Sequence, residues 1–119
     1  MKYTAFNDSE LMQQFSGDKE ILLDMICIFQ HGLEGLLRPI RESVLREDAG
    51  QLMLNAHTFK GVMGNFYAVE AKLLACKLEQ RGQQAIFSDT LILLNKLENE
   101  LQIFLFELIT FKRNLITKA

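Results

Sequence analysis

The apolar residues of this chain recur three and four positions apart over long stretches, and this spacing is the feature that most restricts its fold. The longest stripe lies near the C-terminus and consists of Leu94, Leu97, Leu101, Phe104, Leu108, Phe111 and Leu115. Such a stripe forms one face of an α-helix, whereas a half-buried β-strand would alternate apolar and polar residues. With one proline in 119 residues, the pattern predicts an all-α protein, and this length suits a single domain spanning 1–119.

Capping residues and helix breakers predict where the first helices begin and end. Asp8 or Ser9 is expected to cap a short first helix, Glu10 to Phe15. Asp18 is expected to cap a long second helix. Its apolar stripe continues beyond Pro39, so the proline should bend this helix rather than end it.

The same signals predict three more helices after the charged turn at 46–50. The first runs over about 50–66, the next over about 69–80 with Gly82 as its stop, and Ser88 or Asp89 caps the last. Helices joined by short turns favour an antiparallel up-and-down four-helix bundle with a short extra N-terminal helix.

Composition and charge exclude several classes of partner. The net charge of -2 and the pI near 5.7 argue against nucleic-acid binding, which needs a concentrated basic face. The N-terminal residues lack the apolar stretch of a signal peptide, and no later apolar run is long enough to cross a membrane. We therefore expect a cytoplasmic protein. Cys27 and Cys76 are interpreted as reduced core thiols, and no metal site is expected.

The predicted helix at 50–66 carries the residues that point to chemistry. At about 100° per residue, His57, Lys60, Gly61 and Gly64 share one face, opposite the apolar face. We call these four residues the His57 stripe. Glycine in a helix costs up to about 1 kcal/mol relative to alanine, so two on an exposed face suggest that another molecule approaches closely. A neutral imidazole is nucleophilic near pH 7, and a nearby lysine can contact phosphoryl oxygens.

The segment around this stripe, AHTFKGVMGNFYA at 56–68, resembles the AHxLKG signature of histidine-containing phosphotransfer (HPt) domains. The order of predicted helices resembles that family along nearly the whole chain. The resemblance implies that His57 is phosphorylated and that Lys60 assists through its charge. It also implies that Gly61 and Gly64 clear space for the partner protein.

A residue of the following helix and several departures complete the comparison with the family pattern. Glu79 stands where the family often has a polar residue near the imidazole, although it could also be a solvated surface carboxylate. Phe59 replaces the usual leucine, Val62 and Met63 replace smaller residues, and Tyr67 stands where the family usually has glycine.

Apolar residues in two places are candidates for docking the partner. In the first helix these are Leu11, Met12 and Phe15. Met53 and Leu54 lie about one turn before His57, and either docking or packing in the core would explain them equally well. The run at 103–106, together with Leu108, Ile109 and Phe111, should be buried in the bundle, with a homodimer contact as the alternative, and we expect a monomer.

The resemblance implies a phosphorelay carrier that takes a phosphoryl group from the receiver domain of a hybrid sensor kinase and passes it to that of a response regulator. The chain has no glycine-rich nucleotide loop, so we expect no kinase activity and no cofactor of its own, with Mg²⁺ supplied by the receiver. Two alternatives stay open. The chain could be the phosphoacceptor domain of a larger chemotaxis-type or hybrid kinase, although the initial Met and the lack of linker-like tails favour a free-standing protein. It could also be a module that binds receivers without carrying phosphate.

Overall fold

A computed structural model describes residues 3–117, which form five helices and measure about 48 by 23 by 20 Å. The helices are α1 (Asp8–Gln14), α2 (Lys19–Arg46), α3 (Ala49–Asn65), α4 (Val69–Gln84) and α5 (Thr90–Thr117). Helices α2 to α5 form the four-helix bundle, and α1 is the short extra helix, as predicted. No helix among these residues is both long and apolar enough to span a membrane.

Side-chain caps fix the start of three helices. The side chains of Asn7, Asp18 and Asp48 accept hydrogen bonds from backbone N–H groups in the first turns of α1, α2 and α3, at 3.1, 3.1 and 3.2 Å. The predicted cap at Asp18 is therefore confirmed. The predicted caps of α1, Asp8 or Ser9, are wrong, because Asn7 takes that role. The prediction of Glu10 to Phe15 accordingly starts α1 two residues too late.

The long helix α2 continues through Pro39 to Arg46, as its apolar stripe predicted. The carbonyl of Pro39 accepts hydrogen bonds from the Ser43 hydroxyl at 2.7 Å and from the Asn55 side chain at 3.3 Å. The second of these bonds connects α2 to α3 on the N-terminal side of His57.

Helix α4 extends to Gln84, so the prediction that it ends near residue 80 with Gly82 as its stop is wrong. The residue that follows Gln84, Ala85, terminates the helix by adopting a left-handed conformation with φ of 55°. Gly82 is buried where α4 crosses α3, and a Cβ at this position would lie 2.5 Å from the backbone nitrogen of Met53. This glycine therefore permits two backbones to approach, and it does not form a turn.

The face of α3 opposite the His57 stripe packs in the core. Leu52, Phe59 and Met63 are fully buried, and Phe66, just after the helix, is nearly so. The ring of Phe66 lies against rings of α2 and α5, with centroids 4.9 Å from Phe29 and 5.7 Å from Phe104. The predicted core face of this helix is confirmed, and the packing leaves the opposite face for solvent.

The apolar run at 103–106 is not buried as a whole. Phe104 is fully buried, but the Phe106 side chain is 73% exposed and Ile103 is also exposed. The expectation of burial is therefore wrong for these two residues, because the helix turns them away from the bundle by about 100° per residue.

The segment that precedes α1 packs across α5, and its aromatic side chains are buried. Glu107 of α5 accepts hydrogen bonds from the backbone N–H groups of Thr4 and Ala5, each at 2.9 Å. It also accepts one from the Thr4 hydroxyl at 2.9 Å. The Tyr3 hydroxyl accepts a hydrogen bond from the Asn114 side chain at 3.2 Å. The start of the described chain is thus attached to the last helix, a connection that the sequence did not predict.

Candidate functional site

His57 lies in the middle of α3 on its solvent face, and its side chain is 64% exposed. Its Nδ1 atom is 2.8 Å from Oε2 of Glu79, which projects from α4. The other carboxylate oxygen of Glu79 is 2.6 Å from Nζ of Lys60. One carboxylate thus joins the imidazole and the ammonium, so three of the predicted site residues form a single hydrogen-bonded group.

The antiparallel packing of α3 against α4 produces this arrangement. The two helices form the most extensive contact between elements, and the turn between them is short. A step toward the C-terminus of α3 therefore corresponds to a step toward the N-terminus of α4. His57 faces Glu79, and two turns further along Gly64 faces Lys72. The close backbone approach at Gly82 lies one turn beyond Glu79 on α4.

The Glu79 carboxylate is largely buried, with 12% of its side chain exposed. Burial alone would raise the pKa of this group, but the hydrogen bonds from Lys60 and His57 together outweigh burial. The pKa of Glu79 therefore lies below its ordinary value. The hydrogen bond to Glu79 in turn raises the pKa of Lys60. Both members of this pair are consequently charged at neutral pH.

The contact with Glu79 determines which ring nitrogen of His57 is available for reaction. A carboxylate oxygen can only accept a hydrogen bond, so Nδ1 is the donor and carries the proton. In the neutral ring Nε2 then has a free lone pair. Because most of the ring is exposed, this nitrogen can be reached from solvent.

The two glycines of the stripe differ in their surroundings. A Cβ added to Gly61 would meet no atom within 4 Å, whereas one added to Gly64 would lie 3.7 Å from Nζ of Lys72, an ordinary contact distance. Neither glycine is needed for the packing of this chain, in contrast to Gly82. Each glycine therefore lowers the stability of α3, and no packing requirement among residues 3–117 compensates for this cost.

The candidate docking residues lie in two separate places, and only one of them is next to His57. Leu11 is wrong as a docking residue, because its side chain is fully buried in the core. Met53 and Leu54 are 37% and 56% exposed on α3, close to His57. Helix α1, which carries Met12 and is followed directly by Phe15, lies beyond the other end of α3.

The position of α1 is fixed by its contacts with the turn after α3. Gln14 accepts a hydrogen bond from the Tyr67 hydroxyl at 2.9 Å, and the backbone N–H of Asn7 donates to the Tyr67 carbonyl at 3.0 Å. Tyr67 comes ten residues after His57, which is roughly 15 Å along a helix. Met12 is exposed and Phe15 is half-buried in this region.

The other histidine has no comparable surroundings. His31 is exposed on α2, and its Nδ1 donates a hydrogen bond to the backbone carbonyl of Cys27 at 2.9 Å. No acidic side chain of the described residues pairs with it, which agrees with its interpretation as structural. Cys27 and Cys76 are free thiols, but both are only half-buried, so they are not the core residues that the sequence predicted.

Sequence reasoning did not select Lys72, although its spacing could have indicated it. Lys72, Cys76 and Glu79 are four and three residues apart and therefore share one face of α4. Since Glu79 on this face meets the imidazole, Lys72 lies on the same side of the molecule as the His57 stripe. Periodicity within one helix does not show which faces of two helices pack together, and the position of Lys72 depends on that packing.

Comparisons with known proteins identify the family. The model of the Hpt domain family matches residues 24–104, about two thirds of the chain, including all of α3 and α4. Among curated proteins, no sequence matches. The crystal structure of histidine-containing phosphotransfer protein B from Pseudomonas aeruginosa PAO1 is similar with a TM-score of 0.86. At 21% identity, over 92% of this chain and 96% of that one, it shows the same fold. The chain belongs to the Hpt domain family and is a histidine phosphotransfer protein of a phosphorelay.

Proposed function

We propose that His57 is the phosphorylated residue of this Hpt domain. It accepts a phosphoryl group from the aspartate of one receiver domain and passes it to the aspartate of another. The observation that carries this proposal is the 2.8 Å hydrogen bond from Nδ1 to the buried Glu79 carboxylate. This bond leaves Nε2 of a mostly exposed ring free to react.

Transfer to His57 begins with the Nε2 lone pair, which attacks the phosphorus atom of the aspartyl phosphate in line with the leaving oxygen. The N–P bond forms as the P–O bond to aspartate breaks, and the aspartate leaves as a carboxylate. In the neutral ring no proton has to be removed from Nε2, because Nδ1 carries the ring proton. Positive charge develops on the ring, and the Glu79 carboxylate at Nδ1 stabilises it. Transfer to the next receiver is the reverse of these steps.

Lys60 supplies positive charge next to the reacting nitrogen. Its ammonium is bound to Glu79 in the unphosphorylated protein, at 2.6 Å. A phosphoryl group on His57 carries negative charge, and Lys60, one turn away on α3, can reach it. We infer that the ammonium then contacts both the phosphoryl oxygens and Glu79. In-line transfer depends mainly on positioning and charge, so a rigid bundle suffices if the receiver brings Mg²⁺.

The open surface around His57 suits a protein partner better than a small substrate. Five clefts among residues 3–117, one of them about 480 Å³ in volume and lined by Tyr3, Phe15 and Phe111, do not include His57. The exposed face at Gly61 leaves room for a receiver to reach the ring. We infer a cytoplasmic, monomeric carrier that does not phosphorylate itself from ATP and has no cofactor of its own.

The test uses the fact that the chain has two histidines. A panel of receiver domains is charged with radiolabelled acetyl phosphate and mixed with the wild-type protein, His57→Gln and His31→Gln. We expect acid-labile, base-stable label on the wild type and on His31→Gln, and none on His57→Gln. Glu79→Gln should be labelled about tenfold more slowly, because a hydrogen bond to a charged group contributes about 1.5 kcal/mol.

Two results would contradict the proposal. Label that persists on His57→Gln and disappears from His31→Gln would move the phosphorylated residue to α2. If no receiver labels the wild type while several bind it and His57→Gln equally well, the protein is a docking module that carries no phosphate.

A further inference from the structure

The side chain of Lys72 lies across the His57 stripe at Gly64. A Cβ built on Gly64 would be 3.7 Å from Nζ of Lys72 and 3.8 Å from its Cδ and Cε atoms. The aliphatic part of the lysine therefore follows the surface of α3 where α3 has no side chain. This contact places a cation from α4 at the edge of the surface that Gly61 leaves open.

The charge of Lys72 is not neutralised by any acidic side chain among the described residues. Lys60, the other cation of the site, is bound to the Glu79 carboxylate at 2.6 Å. Lys72 is exposed, and no carboxylate of residues 3–117 forms an ion pair with it. In the resting protein Lys72 thus provides positive charge beside the stripe that is free to act on an approaching anion.

Lys72 lies too far from His57 to take part in the chemical step. Gly64 is seven residues after His57, or about 10 Å along α3. An ammonium at this position does not touch a phosphoryl group on His57. It does lie within the area that a docked protein covers, since each partner in an ordinary interface buries about 800 Å².

We propose that Lys72 is a second cation of the phosphotransfer surface, which binds the negatively charged rim around the phosphorylated aspartate of the receiver and sets the affinity for that receiver. This inference rests on the proposed function of His57. Lys72 acts on association through its charge, whereas the chemical step belongs to His57, Glu79 and Lys60. Charges at the rim of an interface change the association rate and its salt dependence more than they change later steps.

The test compares charge reversal at Lys72 with the same change at Lys77. Lys77 is exposed on the same helix but lies about 140° further around it, away from the stripe. The readout is single-turnover transfer from the receiver that labels the wild type fastest, measured over a range of receiver concentrations. We expect Lys72→Glu to raise the half-saturating concentration about tenfold and to leave the rate at saturation within about twofold.

Salt and a conservative variant distinguish an electrostatic role from a structural one. At roughly 0.5 M salt, where screening acts within a few ångströms, the difference between Lys72→Glu and the wild type should shrink to about twofold. Lys72→Arg should behave as the wild type at every salt concentration, and Lys77→Glu should change the half-saturating concentration less than about twofold.

The inference is overturned if Lys72→Glu and Lys77→Glu give the same values, or if the loss in Lys72→Glu persists at high salt. It is also overturned if the rate at saturation falls while the half-saturating concentration stays constant. In each case the labelling of His57 by the receiver would still support the proposed function. Absence of label on His57 in the wild type would instead contradict the proposed function.

Discussion

Glu79 is the residue whose role was hardest to read from the sequence. A glutamate on a polar helix face is usually solvated, and only its distance to His57 on another helix shows that it belongs to the site. His57, in contrast, could be selected from sequence as the candidate for phosphorylation, because Lys60, Gly61 and Gly64 lie on the same face of its own helix. Relationships within one helix follow from spacing, whereas contacts between helices depend on how two faces meet.

The pH dependence of stability should reveal the state of Glu79. Its folded pKa is lowered from the ordinary value of 4.5, so the stabilisation that it contributes is present above that value and is lost as the pH falls through the lower folded value. We expect the difference in unfolding free energy between the wild type and Glu79→Gln to shrink between about pH 5 and pH 3. Urea denaturation across this range measures it. A difference that grows toward acid pH would contradict the lowered pKa.

Among the helices, the order and the buried faces were predictable, but several ends were not. Apolar spacing located α2, α3 and α5, because burial of one face decides helix formation in a bundle. The end of α4 was missed for a specific reason. Gly82 has the residue type of a helix stop, yet it serves the contact with α3, and Ala85 takes the left-handed position at the helix end instead.

The contact at Gly82 gives a prediction about the pair α3 and α4. In Gly82→Ala the new Cβ would lie 2.5 Å from the Met53 nitrogen and 2.9 Å from the Ala49 carbonyl oxygen, so the helices must separate. We expect a loss of about 3 kcal/mol of stability. Gly61→Ala is the matched control, and it should gain about 0.5–1 kcal/mol because its site is open. Urea unfolding of both variants checks this, and equal effects would mean that the close approach does not constrain the bundle.

At the scale of the whole molecule, the segment before α1 has a larger role than its sequence suggests. Its residues show no periodicity, so spacing could not indicate that the segment completes the core. Tyr3 and Phe6 add their rings to the aromatic residues of α5, with Phe6 5.5 Å from Phe104 and Tyr3 5.8 Å from Phe111 between centroids. The segment therefore closes one end of the bundle.

Glu107 should stabilise the packing of this N-terminal segment against α5. Glu107→Ala removes the acceptor for the backbone of Thr4 and Ala5, and we expect it to destabilise the protein by about 1–3 kcal/mol. Glu42→Ala, an exposed carboxylate on α2, should change stability by about 0.5 kcal/mol or less. Thermal or urea unfolding at neutral pH compares them. Equal losses would show that the segment is held by its buried rings alone.

The contact of Tyr3 with Asn114, at 3.2 Å, brings the two ends of the described chain together. Polypeptide attached before residue 3 or after residue 117 would leave from the same end of the bundle, while His57 lies near the middle of α3 on an open face. Such a domain can be joined to a neighbour on either side, or inserted into a longer chain, without changing the surface that it offers to receivers. For protein engineering this means that both attachment points lie at one end, so a reporter or a tethered receiver can be fused there without covering the His57 imidazole.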